Sequence, residues 1–248
     1  MDFRILGPLA ARGADGRTIV LGGRKPRTLL AALLLARGQV LADERLITLL
    51  WDDRRPATVQ AQLCTYASRL RRSLDPAAAL VRTGSGYRLE TGPCTVDAEE
   101  FERLAGLGHD DLRTGRPARA VAQFRAALAL WRGPVLADVG ESLRAGEAAR
   151  FEEMWLGTLE SRIEAEIALG DVPSAVPDAA GLVAKHPLRE RSRALLMAAL
   201  CAVGRQADAV AEYHRGRRIL DETLGIAPGP VLRAAYQRVL DGGAGSAG

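Results

Sequence analysis

The side chains best suited to recognition chemistry crowd into one short stretch. Thr58, Gln62, Thr65, Arg69 and Arg72 recur at steps of four, three, four and three, so a helix would align them on one face. Hydroxyl, amide and guanidinium groups in such a row match what the major groove of B-DNA presents. Arginine forks onto guanine, glutamine onto adenine, and a threonine methyl meets thymine. Ser68 and Arg71 flank the row and suit phosphates better than bases. Arg54 and Arg55 precede the same segment, where helix starts and nearby arginines clamp phosphates. Arg82, Thr83 and Ser85 follow it at the distance of a wing that meets the minor groove or the backbone. Taken alone, the row also fits a solvated amphipathic helix.

Other chemistries find no constellation. His109, His186 and His214 are isolated, spaced neither for a metal site nor for a catalytic triad. No GxxxxGK[ST] loop surrounds Lys25 or Lys185. Glu160, Glu164 and Glu166 lie in a charge-rich helical segment and read as a solvated face. Trp131 and Trp155 have helical neighbours and read as core. Cys64, Cys94 and Cys201 form no CxxC pair and are expected to be buried or half-buried thiols. No enzyme, catalytic residue, metal or cofactor is expected. No apolar run reaches the length of a membrane span, and the N-terminus does not resemble a signal peptide, so a cytoplasmic protein without a membrane partner is expected.

The elements that would position the polar row can be read around it. Phe3, Ile5 and Leu9, and then Thr18 to Leu21, predict short strands separated by the turn residues Gly13 to Gly16. Pro26 opens a first helix with Leu29, Leu30, Leu33 and Leu34 on one face, and Gly38 closes it. Asp43 can cap a second helix carrying Leu46, Leu49, Leu50 and Trp51. The third begins near Pro56 and runs to about Leu74, with Val59, Leu63, Tyr66, Leu70 and Leu74 facing inward. Runs 80–83 and 87–89 flank Gly84-Ser85-Gly86 and predict a β-hairpin. Strands, three helices and a hairpin make a winged helix-turn-helix.

Gly92-Pro93 reads as a linker, and from Asp97 onward everything looks helical. Gly115-Arg116-x-x-x-Ala120-Val121 recurs as Gly170-Asp171-x-x-x-Ala175-Val176 and Gly204-Arg205-x-x-x-Ala209-Val210. The last two are about one tetratricopeptide period apart. Glycine turns one helix into the next, and alanine lets the pair approach closely. Phe124 and Tyr213 follow the alanine by one turn in two copies; the middle copy has Ala179 there and Pro187 further on. The interval between the first two copies leaves room for two long helices, one from Phe151 to Leu169. The fold class is therefore mostly α: an N-terminal α+β winged helix over 1–92, an all-α tetratricopeptide-like repeat domain over 95–241, and a disordered tail over 242–248.

Charge divides at the same place. Residues 1–92 hold 15 Lys and Arg against 8 Asp and Glu, a net +7, whereas 93–248 come to −3. Basicity concentrated in one segment is the footprint of a polyanion-binding domain. With the helix pair and the wing, it tips the reading of the polar row toward DNA.

Longer motifs carry a resemblance. PATVQAQLCTYASRLRRSLD followed by VRTGSGYRLE resembles the OmpR-type winged helix of the Streptomyces antibiotic regulatory protein family. VDAEEFERL at 96–104, ALALWRGPVLADV at 127–139, HPLRERSRALLMAAL at 186–200 and the block 204–240 resemble that family's bacterial transcriptional activation domain. The resemblance runs from Phe3 to Leu240. It implies an activator that binds promoter direct repeats in double-stranded DNA as a side-by-side homodimer. It also implies recruitment of RNA polymerase holoenzyme, often at secondary-metabolite (antibiotic) gene clusters. Carried over, base reading falls to Thr65 and Arg69, with Gln62 and Arg72 nearby; Thr83 stands where many OmpR-type wings have arginine. Two other readings stay open from the residues alone: a helical-repeat scaffold whose N-terminal domain docks a protein, and a repressor using the same winged helix.

Overall fold

The computed structural model describes residues 1–52, 54–74 and 78–244. The order is β1 (Asp2–Arg4), β2 (Ala10–Arg12), α1 (Arg24–Leu35), β3 (Leu41–Ala42), α2 (Asp43–Trp51), α3 (Val59–Ser73), β4 (Ala79–Thr83), β5 (Gly86–Glu90) and β6 (Thr95–Val96). Among the described residues, seven helices follow: α4 (Asp97–Arg113), α5 (Pro117–Leu128), α6 (Glu141–Leu169), α7 (Val172–Lys185), α8 (Glu190–Ala202), α9 (Gln206–Leu224) and α10 (Pro230–Ala244). The chain forms two compact units. The first comprises 1–104 and 126–155; the second comprises 105–125 and 156 onward.

In the first unit, α1 is central. Every residue from Thr28 to Leu34 is buried, not only one leucine face, because α2 and α3 pack on it and Gly140 approaches from another side. A three-stranded sheet, β3-β5-β4, carries the wing. Thr83 pairs with Gly86, so Gly84 and Ser85 alone make the turn, and Gly84 adopts φ +52. Gly86 belongs to the strand. A side chain there would meet the Leu41 carbonyl at 2.4 Å, so β3 can pair with β5 only against glycine.

A second sheet, β2-β1-β6, contains the strand expected around Phe3 and one, β6, that was not anticipated. Residues 95–96 add a parallel strand to β1, with Asp2 opposite Thr95 and Phe3 opposite Val96. Immediately after, Asp97 accepts the amides of Ile5 (2.7 Å) and Leu6 (3.1 Å). The expected strand at 18–21 is only a bridge from Thr18 to Arg12, because Ile19 donates to Ala11 and the chain then turns away. Asp43 is the first residue of α2 and not its cap; its carboxylate goes to Arg82 instead.

Not everything beyond Asp97 is helical. Residues 129–140 form an irregular loop, and the helix expected over 151–169 begins earlier, at Glu141. The loop is fastened to the segment between β1 and β2 and to α1. Arg132 and Leu136 donate their amides to Leu6 and Gly7, and Asp138 accepts from Leu9 and Arg27. Leu136 and Val139 consequently share one core with Phe3, Leu29 and Phe101.

The second unit realises the repeat. Gly115, Gly170 and Gly204 all take positive φ (+72, +87 and +76) at helix–helix turns. Each is followed by a residue whose amide reaches back to the preceding helix: Arg116 to Asp111, Asp171 to Glu166, Arg205 to Leu200. Ala120, Ala175 and Ala209 are wholly buried, as close helix approach requires. Phe124 is buried, and Tyr213 stacks on Tyr236 with centroids 3.9 Å apart.

The glutamate reading needs correcting. Only Glu164 is exposed; Glu160 and Glu166 are fully buried and held by arginines from other segments. Glu160 pairs with Arg189 at 2.7 Å and Ser192 at 2.6 Å, and Glu166 with Arg125 at 2.8 Å. Buried carboxylates survive only with such partners. The cysteine expectation fails at Cys64, which is exposed on α3, while Cys94 and Cys201 are half-buried. Of the expected tail 242–248, residues 242–244 continue α10 and 245–248 lie outside the described residues. No helix among the described residues is long and apolar enough to cross a membrane.

Candidate nucleic-acid interface

The inward face of α3 fixes its rotation. Leu63, Ala67 and Leu70 are buried and Val59 and Tyr66 half-buried. Trp51 of α2 stacks on Tyr66 at 5.9 Å, and the Lys25 ammonium sits 4.4 Å over the Trp51 ring. With that side committed, Thr58, Thr65, Ser68, Arg69, Arg71 and Arg72 are exposed and Gln62 is half-buried. The row read from spacing is therefore one continuous outer face, beginning with Thr58 as the residue before the helix.

Its polar groups differ in how free they are. Gln62 donates its amide to the Thr58 hydroxyl at 3.0 Å, and Thr65 donates its hydroxyl to the Ala61 carbonyl at 2.8 Å. Among the described residues, Arg54, Arg69 and Arg72 have no carboxylate partner. Arg71 donates to the Leu80 carbonyl at 2.9 Å and ties α3 to β4. Tyr87 donates its hydroxyl to the Cys64 sulfur at 3.7 Å and ties β5 to the same helix. Burial, and then the Cys64 contact, push the Tyr87 hydroxyl above its usual range.

Two of the candidate arginines are already engaged. Arg55 donates to Glu44 (3.0 Å) and to the Thr48 hydroxyl (2.8 Å) on α2. Arg82 forks onto Asp43 at 2.6 and 2.8 Å and lies 4.6 Å over the Tyr87 ring. The Asp43 hydrogen bonds push the Arg82 pKa up, so this guanidinium clamps the wing onto α2. Thr83 and Ser85 are exposed at the hairpin tip, where the Ser85 carbonyl accepts the Asp43 amide at 2.8 Å. The structure thus gathers the α3 residues into one surface and turns Arg55 and Arg82 toward α2.

Sequence reasoning missed some neighbours. Ala61 and Cys64 are exposed within the same arc of α3. A full helical wheel, in place of a single row of polar types, includes them. Gly22 and Gly23, which open α1, border a groove of about 350 Å³ with Arg69 and Arg72. Gly23 supplies no side-chain cap, so the first amides of α1 lack one beside these arginines. Among the described residues, no cluster of three or more His, Cys, Asp or Glu could hold a metal.

Two family models match this chain. Residues 16–89 match the model for the C-terminal domain of transcriptional regulatory proteins, and 96–240 match that for the bacterial transcriptional activator domain. The transcriptional regulator RedD of Streptomyces coelicolor is 38% identical, over 97% of this chain and 70% of that protein. The regulatory protein DnrI of Streptomyces peucetius is 36% identical, over 97% of this chain and 92% of its own length. The regulatory protein AfsR of Streptomyces coelicolor is 39% identical, but this chain spans only 24% of it. A solved structure of Mycobacterium tuberculosis EmbR, in complex with a low-affinity phosphopeptide, superposes with a TM-score of 0.90 at 34% identity, covering 97% of this chain and 65% of that one. An OmpR-like winged helix followed by a bacterial transcriptional activator domain, shared with such regulators along nearly the whole chain, makes this protein a member of the Streptomyces antibiotic regulatory protein family of transcriptional regulators.

Proposed function

We propose that this chain activates transcription by reading promoter direct repeats in double-stranded DNA through α3, as a homodimer on that DNA. The observation that carries the reading is the outer face of α3, where Arg69 and Arg72 stand exposed with no carboxylate partner among the described residues. Thr65 and Arg69, with Gln62 and Arg72 nearby, read base edges; Thr58 sets the start of the row. Ser68, Arg71, Arg54 and the open amides of α1 hold phosphates. Thr83 and Ser85 bring the wing to the backbone. Arg55 and Arg82 act indirectly, by holding α3 and the wing on α2. The helical half offers its surface to RNA polymerase holoenzyme, and the regulated genes are a secondary-metabolite cluster.

Electrostatics supports the same division of labour. The two arginines assigned to phosphates, Arg54 and Arg71, have no carboxylate partner among the described residues and would give log K against log salt a slope of about −2 per protomer, or about −4 for the dimer. Arg69→Ala should lose about 1–3 kcal/mol of specific binding and relax discrimination at one base position. Binding to the operator and to a scrambled duplex, both unchanged by that substitution, would remove α3 as the reader. Footprinting across the genome with the full chain supplies the operator, and the spacing of its repeats reports the protomer arrangement. A chain that footprints on promoters and lowers their transcription would make the protein a repressor with the same reader.

A further inference from the structure

Within the first unit, a cleft of about 560 Å³ separates the 131–135 loop from one stripe of α6. Small-molecule sites commonly enclose roughly 300–1,000 Å³ of mostly apolar surface with a few polar groups. Here the walls are Trp131, Phe151 and Trp155, with Ala148 and Val135 between them. Ala148, Phe151 and Trp155 sit at helical spacing, so α6 turns one face to the loop. Trp131 is fixed edge-on against Phe101 (5.3 Å) and Phe151 (6.2 Å). Trp155 is half-exposed and belongs to this cleft, which corrects its assignment to the core.

Charge selects among ligands. Among the described residues, two charged side chains line the cleft, Arg144 and Glu152. Arg144 is already paired with Glu141, at 2.6 Å. Glu152 is exposed and has no cationic partner among the described residues. The lining together with its partner therefore carries one net negative charge. Aromatic faces attract cations for the same electrostatic reason. Arg150 already lies 4.3 Å over the Phe151 ring, which leaves the two tryptophans for a ligand. We propose that this cleft binds a small organic cation with an apolar body, its nitrogen near Glu152 and its body against Trp131 and Trp155.

The proposal is independent of DNA binding. Full-length protein is titrated with benzyltrimethylammonium, its neutral isostere neopentylbenzene, and benzoate, following tryptophan fluorescence. The expected result is saturable binding of the ammonium, about tenfold tighter than either comparison compound. Glu152→Gln should weaken the ammonium alone by about three- to tenfold, without moving the melting temperature or DNA retention. Trp155→Ala should abolish the preference for the cation. Absence of saturation to about 10 mM, equal binding of the three probes, or indifference to Glu152→Gln each overturns the proposal.

Discussion

Replacing Asp97 by alanine tests whether the junction after the winged helix is a structural clasp. The Asp97 carboxylate accepts the amides of Ile5 and Leu6, residues that are 1% and 0% exposed. Alanine strands both donors away from water, at about 1–3 kcal/mol each. Part of this is offset, because the buried carboxylate is itself costly: burial pushes the Asp97 pKa above its usual 3.8. Arg132 lies 3.6 Å away and is partly exposed, so it contributes little. The expected net loss is about 2–4 kcal/mol, which for a unit of this size lowers its melting temperature by about 10 °C. Calorimetry of the full chain reads it directly. The pH dependence has a definite sign. A carboxyl whose pKa is raised by folding stabilises the native state most below 3.8, and that contribution fades as pH rises through the folded value. The advantage of the wild type over Asp97→Ala should therefore be wider near pH 4 than at pH 7. A melting temperature unchanged by the substitution, or an advantage that grows with pH, would refute the clasp.

Other outcomes follow from the same contacts. Arg193 is 2% exposed and pairs with Glu212, while its remaining donors reach the Pro187 carbonyl. Glu212→Ala should cost about 3–5 kcal/mol in denaturant unfolding by leaving that charge buried and unpaired, whereas a double replacement by apolar residues of similar volume should recover most of it. A fragment of residues 1–92 should show no cooperative melting by circular dichroism. It lacks β6 and the buried side chains Val96, Phe101, Leu136, Val139, Leu143 and Phe151 of its own core cluster. At about 1.5–3 kcal/mol each, these six together match or exceed the roughly 5–15 kcal/mol that hold a domain folded. A sharp transition in that fragment would count against the first unit as described.

Helix-scale features were legible from the residues. The period of 58–72 set both faces of α3, because residues one turn apart must share a side whatever surrounds them. The glycines at 115, 170 and 204 marked their turns, because left-handed backbone is easiest without a side chain. The charge difference between the halves needed only counting. Contacts joining distant parts of the chain were not legible. The strand at 95–96, the loop 129–140 stitched to residues 6–9, the buried Glu160 and Glu166, and the clamping of Arg55 and Arg82 onto α2 each depend on which segments meet. A charged residue looks the same in the sequence whether it ends in water or beside its counterion. Only tertiary packing supplies the partner that decides between them.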